Sequence, residues 1–581
     1  MSQFAINLIF VLGTFGIYTA IAIWARAKTT RDFYIAGGEV HPTLNGMATA
    51  ADWLSAASFI SVAGLISVGY VNSAFIMGWT GGYVLLATLL APYLRRFGTY
   101  TVPDFVGTRY DSKAARVVAV VCLIVVSLTY VIGQMTGAGV AFARFLEVSS
   151  TTGLLISAVV VFFYAVLGGM KGVTYTQVAQ YTVLILAFTI PAIYLSLMMT
   201  GHFLPQTGLW GTHTESGVYL LQTLNEVVRD LGFQDYTADV SNRWNMVLFT
   251  LTLMVGTAGL PHVIIRFFTV PNIQDARWSA CWALVFIALF YTTAPPLAAM
   301  SRLNLIETIY PDGTDQPALA YEERPEWFQT WEETGLLVFE DKNNDGRIQF
   351  YNDGTLPTPN ADYSAPEDWA GNELTVNNDI LVLALPEIAN MPGFLIGLMA
   401  AGGIAAALST ASGLLLAISS AVSHDLLKNT LMPHLSDKRE MLYARFSMVG
   451  AILIATYLGL NPPGFAAQTV ALAFGMAASS IFPALVLGIF VSRINSKGAV
   501  AGMVTGALFT VCYSFMYLGW FFIPDTNTFP NTPEYWILGI SPLSIGVVGA
   551  AINITTSVVV SLATGKPSDE VERMVRAVRY P

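Results

Sequence analysis

Charge is scarce in this chain. Asp, Glu, Lys and Arg make up 11% of its 581 residues, less than half the roughly 25% of an average soluble protein. Hydrophobic residues make up 54%. That balance excludes a string of soluble domains, which length alone would allow. Alternating ten-residue strands are lacking, which excludes an outer-membrane barrel. Cysteine is nearly absent, and Cys122, Cys281 and Cys512 all fall in apolar runs, so no disulfide framework is expected. The six histidines, His41, His202, His213, His262, His424 and His434, are scattered. With no nucleophile–base set and no metal cluster among the spans, an enzyme is not expected. The basic residues form no stripe of the kind that binds nucleic acid. The first apolar segment lacks the basic start and small-residue cleavage site of a signal peptide, so it reads as a retained helix.

What is present is a succession of apolar runs, each able to cross about 30 Å of hydrocarbon as a helix. Thirteen spans are predicted, at 4–25, 43–71, 73–94, 117–143, 152–169, 177–200, 244–265, 279–300, 392–422, 442–460, 464–490, 498–522 and 539–563. The fold class is therefore an all-α polytopic membrane protein. Most of the 28 Lys and Arg collect in alternate connections, among them Arg95, Arg96, Arg109, Lys113 and Arg116 after the third span and Arg266 after the seventh. The positive-inside rule makes those connections cytoplasmic, with the N-terminus outside and the C-terminus inside. A bacterial inner (plasma) membrane is the expected location.

The two long connections, 201–243 and 301–391, then lie outside, and the second holds nearly half of the 38 Asp and Glu. Its aromatics Tyr321, Trp327, Phe328, Trp331 and Trp369 predict partial order. Span two carries Asn45-Gly46 and Gly64, and span seven carries Gly256-Thr257-Ala258-Gly259-Leu260-Pro261, where regular helix is weakened. Each opens a block of five spans, which predicts a 5+5 inverted repeat with discontinuous helices at matching positions. The expected organisation is residues 1–42 as the first span and its loop, 43–200 as the first repeat (spans 2–6) and 201–243 as an outer loop. The second repeat (spans 7–11) follows at 244–490, interrupted by the acidic insertion 301–391, then spans 12 and 13 at 491–565 and a cytoplasmic tail at 566–581. Asp569 to Arg579 of that tail reads as a short amphipathic helix.

Asp52 lies in the middle of span two, where a carboxylate is costly and is retained because something uses it. Far along the chain, span nine carries Ala406-Ala407-Leu408-Ser409-Thr410. Ser409 and Thr410 each offer a hydroxyl lone pair, and the Ala406 carbonyl lies one turn earlier. Close helix packing explains such small residues as well, but with Asp52 they point to a cation site inside a transporter. Asp52 serves either as a cap on a broken helix or as a charge that supports cation binding, and a proton-coupled role stays open.

The run Asp32-Phe33-Tyr34-Ile35-Ala36-Gly37-Gly38, then Asn45-Gly46-Met47-Ala48 and Ala50-Ala51-Asp52-Trp53-Leu54-Ser55-Ala56-Ala57-Ser58-Phe59, resembles the start of the sodium:solute symporter family. So does Gly168-Gly169-Met170-Lys171-Gly172-Val173-Thr174-Tyr175-Thr176-Gln177, while Gly259 to Pro271 resembles the branch that carries acetate and other short monocarboxylates. The resemblance implies the leucine-transporter-like fold with substrate at mid-membrane. It implies a co-transported sodium ion at the carbonyls of Ala50, Trp53 and Ala406 and the hydroxyls of Ser409 and Thr410, with Asp52 as supporting acid. No Lys or Arg lies in a span core apart from Arg144 near the outer end of span four. The substrate carboxylate is therefore expected at Ser55, Ser58 and exposed amides of span two, with Tyr130, Gln134 and Thr257 as further candidates. The function expected is sodium-coupled uptake of a small monocarboxylate. A proton-coupled or amino-acid (proline-like) symporter of the same fold, and a transporter-like membrane sensor, are the alternatives. The partners expected are the carboxylate and membrane lipid, with the chain a monomer or weak homo-oligomer.

The insertion carries a separate signal. Asp341-Lys342-Asn343-Asn344-Asp345-Gly346-Arg347 matches the first half of a calcium loop, with Asp341, Asn343, Asp345 and Arg347 at ligand positions. Asn352 stands where a bidentate Glu belongs, and Asx-turns in a solvated loop account for the same residues.

Overall fold

In the computed structural model, which describes residues 2–579 apart from Ser241, Pro463 and Phe465, the chain is mostly helical. Ten helices are long and apolar enough to cross a membrane, and two bent pairs raise the number to twelve. That differs from the thirteen expected. The stretch read as span five is, over the described residues, the shorter apolar helix Ser150–Phe162. It continues without a loop into the next helix, because Gly169 turns the chain at φ +59° while the helical run goes on.

The membrane helices are α1 (Gln3–Trp24), the bent pair α2 (Pro42–Trp53) and α3 (Ala57–Val68), α4 (Tyr70–Phe97), α5 (Lys113–Leu146) and α6 (Ser150–Thr200), which is two helical stretches meeting at Gly169. They continue with the bent pair α7 (Arg243–Thr257) and α8 (Pro261–Phe268), then α9 (Ile273–Ile309), α10 (Gly393–Leu431), α11 (Asp437–Gly459), α12 (Ala466–Phe490), α13 (Ser496–Leu518) and α14 (Gly546–Thr564). Helices α10 and α12 form the buried centre, and α1 lies at the periphery with Ile9, Leu12, Ile17 and Ile23 exposed. Glycines set how closely the central elements approach. At Gly256 a Cβ would lie 2.1 Å from the Phe474 carbonyl oxygen, so only glycine lets α7 rest on α12.

Outside the spans, the insertion is ordered around buried Trp331 and Phe328 and holds the one departure from helix among the described elements, an antiparallel ladder of β1 (Leu337–Phe339) and β2 (Leu374–Val376). At the far end of the bundle, α15 (Asp569–Arg579) buries Val571, Val575 and Val578, spaced along one helical face, and leaves Asp569, Glu570, Arg573 and Arg576 exposed.

Candidate functional site

The bent pair α2–α3 turns by 63°, and its hydrogen bonds show what the turn releases. The Leu54 amide still reaches the Ala50 carbonyl (2.7 Å), but the Ser55 amide turns to Trp53 (2.9 Å) and the Ala56 amide goes to Gln134 Oε1 (2.9 Å). The Ala51 and Asp52 carbonyls therefore lose the amides that a continuous helix would supply. Two hydroxyls of α10 meet them. Ser409 Oγ donates to Ala51 O (2.7 Å) and to Ala406 O (2.9 Å), and Thr410 Oγ1 donates to Asp52 O (2.7 Å). The structure thus brings Ala50, Trp53, Ala406, Ser409 and Thr410 to one locus. The carbonyls that face the hydroxyls are those of Ala51 and Asp52, while those of Ala50 and Trp53 are engaged within the turn.

Asp52 is fully buried, and its partner is a residue that sequence reading placed in a cytoplasmic connection. Arg266 Nε and Nη2 both lie 3.2 Å from Asp52 Oδ2. Arg266 also donates to Thr174 Oγ1 (2.9 Å) and to Gln177 Oε1, and Gln177 Nε2 donates to the Ser409 carbonyl (2.8 Å). The expectation of no cation in the span cores beyond Arg144 is corrected: Arg266 is wholly buried in α8. Pro261 restarts a helix after the break and carries Arg266 back into the bundle. Asp52 Oδ1 has no hydrogen-bond partner, and a Cβ at Gly413 would sit 2.2 Å from it, so a glycine of α10 shapes the space around the free oxygen. An all-oxygen donor set beside an uncompleted carboxylate fits a hard monovalent cation.

The expected substrate residues divide. Ser55 lies in the α2–α3 turn, and the Tyr130 phenol faces it from α5. Gln134 joins them by capping Ala56 through Oε1, and its Nε2 has no partner. Ser58 meets Tyr291 OH (2.8 Å) on α9 instead. Thr257 is fully buried with Oγ1 unpartnered, packed where a Gly82 side chain would otherwise stand. Sequence reading missed His262. It sits one residue beyond Pro261, edge-on to Tyr130 at 5.2 Å between rings, 1% exposed, with Nδ1 unpartnered. The signal was its place in the Gly-Leu-Pro-His break, which a survey for clustered histidines passes over. Tyr291, Trp79, Phe474 and Tyr130 form an arc of neighbouring rings, with centroids 6.2, 5.8 and 5.6 Å apart, that ends at His262. The result is an aromatic wall with a few unpaired polar atoms at one end.

The calcium reading of the insertion is not supported. Asp341 Oδ2 accepts the Gly346 amide (3.0 Å), Asn343 donates its own amide group to Asp345 (3.1 Å), and Arg347 Nη1 reaches the Ala318 carbonyl (2.6 Å). Asn352, in the position of the bidentate ligand, folds back on the carbonyls of Leu356 and Pro357. Oxygens of Asp341, Asp345 and Glu373 come within 4.8 Å of one another, but Glu373 accepts amides of Lys342 and Asn343 and closes the loop onto itself.

The profile of the sodium:solute symporter family matches residues 33–301 and 357–506. An uncharacterised symporter of Cupriavidus necator is 33% identical, over 98% of this chain and 93% of that one. A monocarboxylic acid transporter of Corynebacterium glutamicum is 28% identical, over 87% and 83%. In fold, the chain is similar to a Na+-coupled sialic acid symporter solved in its substrate-bound outward-open state, with a TM-score of 0.66, 16% identity and coverage of 97% and 98%. These relatives are transporters rather than enzymes. This chain is an integral membrane protein that belongs to the sodium:solute symporter family.

Proposed function

We propose that the chain couples sodium entry to uptake of a small monocarboxylate. The observation that carries this reading is the pair of hydroxyl–carbonyl bonds, Ser409 to Ala51 and Thr410 to Asp52, across the α2–α3 turn. A hydroxyl that donates one bond still has lone pairs for an ion. Sodium then seats between Ser409, Thr410 and the Ala406 carbonyl on α10 and the turn carbonyls that face them, those of Ala51 and Asp52 in place of the expected Ala50 and Trp53, with the Asp52 carboxylate supplying the field. The name of the Corynebacterium relative supports the substrate class, and that of the sialic acid symporter supports the ion. The 63° and 44° bends at α2–α3 and α7–α8 support a 5+5 inverted repeat around the site.

Coupling follows from charge. Arg266 fastens α8 to α2 through Asp52. Sodium arriving beside Asp52 competes with Arg266 for the same negative charge and repels the guanidinium, so it loosens α8 from α2. Coupling of this kind requires sodium to favour the state that binds substrate. Ser55, Gln134 Nε2, Thr257 and His262 then offer the carboxylate its few polar partners, and the aromatic wall takes the short apolar remainder.

The test is uptake of labelled acetate, pyruvate, lactate and proline into proteoliposomes, with and without an inward sodium gradient. Sodium-driven uptake of the monocarboxylates is expected. Asp52→Asn or Ser409→Ala should raise the half-saturating sodium concentration about tenfold, the loss of one modest coupling contact. Uptake driven by a proton gradient without sodium would overturn the ion assignment, and selective proline uptake would overturn the acid.

A further inference from the structure

A cavity of about 250 Å³ lies at the end of the bundle where α12 stops and α13 begins, walled by Arg109, Asn495, Lys497, Thr564, Lys566 and Ser568. Arg109 is 1% exposed. Its Nε and Nη2 donate to the carbonyls of Gly488 (2.6 Å) and Val491 (3.1 Å), and its carbon lies 4.8 Å from the centre of the Tyr110 ring. Its Nη1 has no partner. Among the described residues no carboxylate makes an ion pair with it. Burial pushes the guanidinium below its ordinary value, the mark of a charge without enough compensation. A buried cation in that condition is costly unless a counter-charge arrives.

The rest of the wall points the same way. Lys497 and Lys566 add two cations, and Asp111 is the one acidic residue of the lining. The cavity also meets the start of α13, a 23-residue helix whose first turn presents unpaired amides and the positive end of its dipole. Asn495 fixes that helix end, accepting the Gly498 amide (2.9 Å) and donating to Thr564 Oγ1 (2.9 Å) and Gly565 O (2.8 Å). The tail reaches the same cavity through Pro567, Ser568 and Val571.

We infer that this cavity is a binding site for a phosphate-type anion, either the phosphoryl headgroup of an anionic phospholipid or free phosphate. Lys497, Lys566 and the first amides of α13 hold its oxygens, and the buried Arg109 guanidinium in the wall supplies the uncompensated positive charge behind them. The cavity lies on the face where basic residues collect, at the ends of α12 and α14, the level at which basic pockets between helices take lipid headgroups. An anion seated there ties α13 and α14 to the tail helix.

The full-length protein in a neutral detergent, at fixed sodium concentration, tests this by its melting temperature. Phosphatidylglycerol, phosphatidylcholine or inorganic phosphate is titrated in turn. A saturable rise with phosphatidylglycerol but not phosphatidylcholine is expected. The variant Lys497→Gln/Lys566→Gln should need roughly 30-fold more lipid for the same rise, the loss of two near-surface cationic contacts. A rise with millimolar inorganic phosphate that is weakened by the same variant supports the pocket with a soluble anion as its source. Absence of any anion-specific rise, or a rise of equal midpoint in the variant, overturns the proposal. Arg109→Gln should abolish the rise if it folds, and the lysine pair decides the matter if it does not.

Discussion

Asp52 and Arg266 face each other with almost no solvent contact, and loss of either leaves the other without its counter-charge. Removing one partner of a buried pair costs about 3–5 kcal/mol, because the survivor keeps its charge and loses its counter-charge. Arg266→Gln is therefore expected to lower the melting temperature sharply, and Asp52→Asn/Arg266→Gln should recover much of that loss without restoring sodium-stimulated uptake. Thermal melts of the single and double variants check it, and an Arg266→Gln protein as stable as the parent would refute the pairing. His262→Phe keeps the ring beside Tyr130 and removes both nitrogens. It should raise the KM for the carboxylate about tenfold, the worth of one hydrogen bond to a charged group, and leave the half-saturating sodium concentration unchanged. At this scale Asp52 was legible in the sequence, since a carboxylate in an apolar run stands out in one dimension. Arg266 and His262 were not. Arg266 falls one residue past the predicted end of span seven, and His262 within that span is a lone histidine without a visible partner; only the restarted helix α8 turns Arg266 inward and sets His262 beside Tyr130.

The bends are properties of elements. Gly and Pro in the α7–α8 connection predicted that break, and the 63° turn of α2–α3 sits beside the predicted acid. The hydrogen bonds released by the turn were not legible, because they depend on Gln134 arriving from α5 to take the Ala56 amide. Gly256 shows how narrowly the elements fit. A Cβ 2.1 Å from a backbone carbonyl cannot be relieved by a side-chain rotation. Gly256→Ala should therefore force α7 from α12 at a cost of about 1–3 kcal/mol, read as a lower melting temperature, whereas Gly450→Ala, which meets nothing within 4 Å, should be neutral.

At the scale of the molecule, the 201–243 and 301–391 segments form a cap fastened to the bundle by buried charges. Arg144 of α5 pairs with Glu387, which also accepts the Trp331 indole N–H (2.7 Å). Arg302 of α9 lies between Phe233 and Phe350, 4.6 and 4.9 Å from their ring centres, and so joins the 201–243 connection to the insertion. Glu387→Gln should loosen the cap by leaving Arg144 uncompensated. Hydrogen exchange across Glu326–Glu333 is expected to quicken while exchange in α12 stays slow, and unchanged exchange in the cap would refute the fastening. On the opposite side, Glu440 accepts from Tyr34 OH (2.8 Å), His424 Nδ1 (3.0 Å) and Lys428 Nζ (2.5 Å), closing that end of α10 against α11.

By itself the sequence determined the membrane class, the helical character of the chain and the position of one intramembrane acid. Each of these follows from composition and spacing along a single line, because lipid tolerates neither unpaired backbone nor idle charge. Tertiary structure alone decided that Arg266 answers Asp52, that His262 joins the aromatic wall, and that the calcium-like loop closes on its own hydrogen bonds. Those outcomes depend on which atoms from distant segments meet, and charge and hydrogen bonding act over a few ångströms of space whatever the distance along the chain.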